Sequence, residues 1–392
     1  MKVQKVYNIL VCVSFVHPII SGDGNNAMAL SSEFVSKGHS VTIVSLNPKN
    51  TLKNRTYLDG VKVYRTPYYK STFIGKVLSR LLYITFVFFQ ILKSDTVIIF
   101  GRMLGFTSTL LISILLRKRI VFRSTLMDFD DPKTLCVGDS LSKRFSHFLF
   151  KNITIYYATT PSFGNRWTSI GLPPNKIFQK PSGINIDTFS PSSTFEKTIL
   201  KDKIGLPQNT LIICSIGDLC FRKGYDSIAL VLGRIKNPFI YIVLGIKEAD
   251  PLLWGQKSNA NEIETVKNIL YSNLNERIIL FGLVDNPQDF LKVSDVFLHF
   301  SNSEGLSNAM LQSMACGIPM VVKPIDGVLN YFLIDNENCL FACNWLELEK
   351  KTVSLLENEN IRKTLGQNAH KCAVELFNIS RITSDLLSRF DP

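Results

Sequence analysis

The segment SEGLSNAMLQSMACGIPMVV, residues 303–322, sets one carboxylate, Glu304, directly ahead of a run that reads as a short helix and then a buried strand. Further on, an amide, Gln312, interrupts a helix otherwise built from Ala, Met, Leu and Ser. Ser307 or Asn308 can cap the helix start, Gly317 suits the left-handed residue after its end, and Pro319 stops it before the apolar strand. Glu304 therefore lies where a strand hands over to a helix, the edge at which α/β sheets bind ligands. A second stretch, SIGDLCFRKGYDSIALVL (215–232), ends an apolar strand at Gly217 and puts Arg222, Lys223 and Gly224 just before another helix. Free backbone N–H groups, a helix dipole and a lysine head converge there, which makes an anion cradle; the plain alternative is a solvated basic loop. The N–H groups of Gly305, Leu306, Ser307 and Asn308 are likewise unpaired inside their helix. Two such helix starts facing one cleft suit a diphosphate, and leave Glu304 for the hydroxyls of whatever the diphosphate carries.

The elements that position these residues alternate along the whole chain. NILVCVSF, SVTIVSL, DTVIIF and RIVFRST read as strands, with helices over 25–37, near 75–93 and near 105–116 between them. The pattern restarts after KPSGINIDTFSPSST with TLIICSIGDL, FIYIVLG, RIILFGLV, DVFLHFS and PMVVK, separated by helices over 225–235, 262–272 and near 287–293. Alternation of this kind predicts parallel sheets wrapped by helices. We expect an α/β chain of two Rossmann-like domains, 1–185 and 186–374, joined near 181–192 and followed by a C-terminal helix, 375–392. The cleft between the domains is the default active site.

The composition suits such a chain. It has 392 residues, 46% of them apolar and 19% charged, enough for large cores and too apolar for disorder. The net charge of +12 conceals an asymmetry: residues 1–185 hold 24 Lys and Arg against 8 Asp and Glu, the remainder 20 against 24. A basic first half points to an anionic partner, nucleic acid or a membrane surface, but no nucleic-acid motif is present. The eight cysteines contain no CxxC pair and read as small buried hydrophobes of a reducing compartment. The opening MKVQKVYNILVCVSFVHPIISG imitates a signal peptide, yet a glycine loop and a helix follow at once, which favours a first strand. No uncharged apolar run reaches the roughly 18 residues that span a bilayer. The segment YYKSTFIGKVLSRLLYITFVFFQILK, with Arg117–Arg119 beyond it, is either a core helix with basic ends or a surface that rests on an anionic leaflet. SGDGNNAM lacks GxGxxG spacing, and no acidic residue follows a second strand at 41–46, which argues against a dinucleotide oxidoreductase.

Together these motifs resemble the retaining glycosyltransferases of the GT-B fold, family four (glycosyl transferases group 1). SEGLSNAMLQSMACGIPMVV looks like the family's signature of a Glu, seven residues and a second Glu; GDGNNAMALSSEFVSKGHSVTIVS resembles its glycine loop and first helix; IGDLCFRKGYD resembles G-R-L-x-x-x-K-G-x-D. DGVKVYRTP, KPSGINIDTFSP, ERIILFGLVDNPQDFLKVSDVFLHFSNSEG and DGVLNYFLIDNENCLFA extend the likeness in order over most of the chain. The resemblance implies a GT-B fold whose C-terminal helix crosses back to the first domain, and a nucleoside diphosphate sugar, UDP- or GDP-linked, as substrate with neither metal nor cofactor. It implies that Lys223 neutralises the donor diphosphate and that Gly305, Leu306, Ser307 and Asn308 hold phosphate and sugar hydroxyls. Glu304 would hydrogen-bond the transferred sugar, and position 312 would take the ribose. Gly22, Gly24 and Gly217 would admit the diphosphate, and Leu283 and Val284 would flank the base.

Two departures stand out. Asp218 replaces the family's Arg, and Gln312 replaces its second Glu; Arg222 could supply the missing cation, and an amide still serves a ribose diol. On the acceptor side the family's His is absent, leaving Arg123, Thr125 and Asp128, while Asp130, Asp131 and Pro132 read as a solvated turn. His17, beside the glycine loop, reads as structural with a weaker claim on the site. The implied activity is hexose transfer to a lipid-linked or polysaccharide acceptor in surface polysaccharide (capsule, O-antigen or exopolysaccharide) biosynthesis. It would take place in the cytoplasm or on the inner face of the membrane. The competing readings are a degenerate GT-B protein that binds a nucleotide sugar or a partner, and a GT-B sugar-nucleotide epimerase.

Overall fold

The computed structural model describes residues 5–19, 21–48, 50, 52–69, 72–245, 260–304, 306–324 and 331–390. The chain forms two units, Met1–Gly183 with Ile379–Pro392, and Ile184–Asn378. The boundary thus falls inside the Pro/Ser/Gly-rich segment, and the last helix belongs to the first unit.

Unit 1 runs β1 (Asn8–Cys12), α1 (Gly22–Ser36), β2 (Ser40–Asn47), β3 (Arg55–Leu58), β4 (Val61–Pro67), α2 (Phe73–Leu92), β5 (Thr96–Phe100), α3 (Phe106–Leu115) and β6 (Arg119–Arg123). It continues α4 (Pro132–Cys136), α5 (Leu141–Lys151), β7 (Ile155–Ala158), α6 (Pro161–Thr168) and β8 (Ile177–Gln179). The sheet order is β3-β4-β2-β1-β5-β6-β7-β8, parallel except for β3 against β4. The apolar run that imitates a signal peptide is therefore a central strand, with β2 on one side and β5 on the other. Helix α1 begins earlier than its apolar periodicity predicts, because Ser21 caps it by accepting from the Gly24 N–H at 3.0 Å.

Unit 2 runs α7 (Thr194–Ile204), β9 (Leu211–Ile216), α8 (Tyr225–Arg234), β10 (Phe239–Leu244), α9 (Ala260–Leu274), β11 (Ile278–Leu280), α10 (Pro287–Val293) and β12 (Val296–His299). Then follow α11 (Asn308–Ala315), β13 (Met320–Val322), β14 (Leu340–Phe341), α12 (Trp345–Glu357) and α13 (Glu359–Leu376). Its sheet is parallel in the order β11-β10-β9-β12-β13-β14, so the strand sequence reverses direction between β9 and β12. Open α/β sheets bind ligands at the carboxyl ends of such a reversal. Apolar cores fill both faces, with Ile212, Cys214, Phe297 and Met314 on one and Ile213, Tyr241, Val296 and Leu298 on the other.

The last helix, α14 (Ile379–Leu387), closes unit 1. Its Ile379, Ile382 and Leu386, with Phe390, join Ile9, Val11, Phe34 and Val121 in one buried cluster. Gly183 permits this, since a Cβ there would lie 2.2 Å from Ile379 Cδ1.

Of the two readings of the segment around α2, the core helix does not hold: by length and composition alone α2 could cross a membrane, but only 28% of its most apolar window is buried, and most of its large side chains are exposed. The cysteines are free thiols and mostly buried, as their apolar surroundings require, but Cys343 is exposed at the turn before α12. Truncating Leu386 to Ala removes a fully buried side chain from the α14 contact. It should cost unit 1 about 2–5 kcal/mol, measured by urea denaturation; a change within error would show that α14 is not part of that core.

Candidate functional site

The site of unit 2 is built by two loops that leave β9 and β12, the neighbouring strands at the reversal. After β9 the chain turns at Gly217, whose φ of +150° favours glycine and whose missing Cβ makes room for Lys223: a Cβ would meet Lys223 Cε at 2.9 Å. A single turn at 221–223 then presents Arg222 and Lys223, and Gly224, at φ +73°, starts α8. A Cβ on Gly224 would lie 2.1 Å from the Phe300 carbonyl, so only glycine lets the two loops meet.

Once they meet, backbone groups lock them. The Asn302 N–H donates to the Arg222 carbonyl at 2.7 Å, and the Ser301 hydroxyl lies 3.0 Å from the same oxygen. Lys323 Nζ in turn holds the Asn302 side-chain oxygen at 2.5 Å. This brings Glu304 against both cations: its Oε1 accepts from Arg222 Nη1 at 2.9 Å and from Lys223 Nζ, and Ser301 Oγ lies 3.2 Å away. Arg222 also donates to the Ser303 carbonyl at 2.7 Å. Burial alone would raise the Glu304 carboxyl, but Lys223, helped by Arg222, holds it below its ordinary value of 4.5. His299 lies buried beneath; desolvation, then the Lys223 charge, push its imidazole down to about 3, so it is neutral.

The other predicted donor-side residues distribute unevenly. Gly305 lies outside the described residues. Leu306 packs partly on the core, and Ser307 caps α11 by its backbone without a side-chain hydrogen bond. Asn308 and the half-buried Gln312 both lie on α11. Leu283 is exposed on the loop after β11, whereas Val284 turns partly into the core. That loop reaches the same sheet edge, since Gly245 N–H donates to the Gly282 carbonyl at 3.1 Å and Gly245 lies against Gly217. Asp218 lies near enough to Arg222 to help hold its guanidinium charged, behind the larger effect of Glu304. Arg222, the candidate for the missing cation, thus faces carboxylates here.

The remaining candidates lie in unit 1. Of the two glycines expected to admit the donor diphosphate, Gly24 is enclosed, since a Cβ would lie 2.2 Å from the Phe15 carbonyl, while Gly22 is open and exposed. His17 is exposed and offers its carbonyl to Arg65. Asp128, at φ +61°, points to solvent and pairs with Arg166 at 2.7 Å. Asp130, Asp131 and Pro132 form no solvated turn; all are buried. Asp130 accepts from the Thr125 and Leu126 N–H groups, both at 3.0 Å, and from Thr125 Oγ1 at 2.6 Å, and burial raises it to about 6. Asp131 caps α4 and accepts from the Asp128 N–H at 2.8 Å. Arg123 is buried over the Phe100 and Tyr157 rings and donates to Ser182 at 2.6 Å. Sequence reasoning missed Ser301, Asn302 and Asp23. The polar run SNS at a strand's end was the signal for the first two, and Asp23 is revealed only by its approach to Arg123 and Thr125.

The chain is similar to known proteins. Residues 196–372 match the sequence profile of the family "Glycosyl transferases group 1". The match lies within unit 2, Ile184–Asn378. An uncharacterised glycosyltransferase of Methanocaldococcus jannaschii is 25% identical over 352 residues, 85% of each chain. The UDP-Gal:alpha-D-GlcNAc-diphosphoundecaprenol alpha-1,3-galactosyltransferase of Escherichia coli is 26% identical over 217 residues, 53% of this chain and 52% of that one. Among solved structures, Anabaena HepE in complex with UDP-glucose superposes with a TM-score of 0.74 at 14% identity, covering 97% of this chain and 98% of that one. This likeness shows the fold, and the chain has the GT-B architecture of two Rossmann-like parallel-sheet units.

Because the folded-state value of Glu304 lies below its ordinary one, its pairing stabilises unit 2 fully above pH 4.5 and is lost as pH falls through the folded value. The melting temperature of the wild type should therefore fall more steeply on acidification below that pH than that of Glu304→Gln. Parallel curves would contradict the pairing.

Proposed function

We propose that this chain is a retaining, metal-independent glycosyltransferase that moves a hexose from a nucleoside diphosphate sugar to a lipid-linked or polysaccharide acceptor. The process it serves is surface polysaccharide biosynthesis, on the cytoplasmic face of the membrane. The observation that supports this best is the meeting of Lys223, Arg222 and Glu304 at the reversal between β9 and β12. In this reading the donor diphosphate takes Lys223 as its counter-ion. Glu304, released from Lys223, turns its carboxylate to a hydroxyl of the transferred sugar. Departing nucleoside diphosphate gathers negative charge in the transition state, where Lys223 and the backbone N–H groups at the start of α11 stabilise it without a metal. Gln312 takes the ribose, and Leu283 supplies an exposed apolar surface for the base. The Escherichia coli relative, named for UDP-Gal and a diphosphoundecaprenol-linked acceptor, supports a UDP-linked donor and a lipid-linked acceptor.

Nucleotide release from a panel of UDP- and GDP-sugars, with and without acceptor, tests the assignment. Glu304→Ala and Lys223→Ala should each lower turnover by at least about a hundredfold, in keeping with loss of a transition-state contact. Undiminished release in Glu304→Ala would remove that residue from the chemistry.

Asp218 favours keeping a second reading, a protein that binds the nucleotide sugar without turnover. Two cations and two carboxylates leave the cradle electrically balanced before a dianion arrives. Asp218→Arg, the residue type the family carries, should then lower the Kd for UDP about tenfold, measured by calorimetry, since the added cation acts at short range. Calorimetry showing tight UDP binding with no turnover over the whole donor panel would favour the binding protein.

A further inference from the structure

Helix α2 is packed inside out. Its buried stripe is Gly75, Ser79, Tyr83, Val87 and Ile91, one residue in every four, and Tyr83 ties it down by donating to Met103 Sδ at 3.1 Å. Gly75 lets the helix start pack closely, because a Cβ there would meet Tyr69 Cβ at 2.8 Å. A helix on the surface of a water-soluble domain turns its polar residues outward. Here the outward faces carry Phe73, Ile74, Leu81 and Phe89, the first 81% exposed. The apolar surface continues through the helices packed beside it. α2 packs on α3, whose Leu115 is exposed, and α3 packs on α5, whose Leu141, Phe145 and Phe148 are exposed.

Charge on these helices has one sign. None of the three contains an Asp or Glu. Lys76 and Arg80 lie among the exposed apolar residues of α2, Lys93 follows it, Arg117 follows α3, and α5 carries Arg144 and Lys151; all are exposed. Of the acids bordering this face, Asp95 is occupied by the backbone and side chain of Asn8, and Asp139 precedes the α5 cap. An apolar stripe with interspersed cations and no carboxylate is the composition that anionic lipid attracts. A second copy of this chain fits poorly, because a two-fold contact would set the same cations against one another. The stripe held by Tyr83 also keeps α2 on unit 1, which opposes its crossing a bilayer.

We propose that the α2, α3 and α5 face of unit 1 docks on an anionic lipid leaflet, with the exposed side chains of α2 at the acyl boundary and its cations among the head groups. The proposal adds a surface to the lipid-linked acceptor reading, and membrane binding is read separately from turnover. The full chain is sedimented with vesicles of phosphatidylcholine, alone or mixed in equal parts with phosphatidylglycerol. It should bind the mixed vesicles and release as salt rises from about 0.1 to 0.5 M. Leu81→Glu/Phe89→Glu should weaken partitioning at least about tenfold, and Lys76→Ala/Arg80→Ala about fivefold per cation on mixed vesicles only. Melting temperature and nucleotide release with a water-soluble acceptor should not change, since these side chains are exposed and lie outside the donor site. Equal binding by the wild type and Leu81→Glu/Phe89→Glu, or no binding of the wild type to mixed vesicles, would overturn the proposal. So would a lipid-free dimer that the same double variant dissociates, which would make a second copy the occupant. Loss of nucleotide release in the wild type with vesicle binding intact would instead count against the enzymatic reading alone.

Discussion

The unit 2 site depends on one close approach, that of Gly224 to the Phe300 carbonyl. Residue 224 must take a left-handed backbone and must carry no Cβ, because that atom would stand 2.1 Å from the oxygen. Where both conditions hold, the loop after β9 settles onto the loop after β12, and the Arg222 carbonyl finds the Asn302 N–H and the Ser301 hydroxyl. The side chains follow the backbone. Lys223 and Arg222 reach Glu304 from a loop about eighty residues away because their strands are neighbours in the sheet.

That convergence sets the electrostatics. A carboxylate removed from water at this depth would ordinarily protonate more readily, and two cations on one oxygen reverse the tendency. Beneath them His299 has no room for a proton, since burial and the Lys223 charge both oppose it, so the imidazole adds a neutral floor. Asp218 adds the influence of a second carboxylate on Arg222. The cradle is organised for anions by its geometry while its side-chain charges nearly cancel, which leaves much of the attraction to backbone N–H groups at helix starts.

Unit 1 uses its buried charges differently. Asp130 and Asp131 are occupied by N–H groups and hydroxyls of their own loop, and Arg123 is sandwiched by aromatic rings, so these groups shape the segment after β6. A carboxylate that gathers several local N–H groups can be buried because those hydrogen bonds replace its water, and Arg166 adds an ion pair to Asp131 at 3.2 Å. The basic excess of this half of the chain lies partly outside, on helices whose apolar residues face outward as well.

Much of this was legible in the residues. Alternating apolar runs, Gly and Pro punctuation, and the strand-to-helix position of Glu304 and Lys223 predicted parallel α/β units and the strand ends that matter, because those signals are local and repeat with the period of each element. Which strands are neighbours, and hence that Lys223 and Arg222 share Glu304, was decided by sheet order, which joins segments far apart in sequence. The same holds for burial. Asp130 and Asp131 have the composition of a solvated turn, and α2 a composition that suits a core helix or an outward surface alike, but the hydrogen bonds offered to the first and the neighbours withheld from the second exist only in the folded chain.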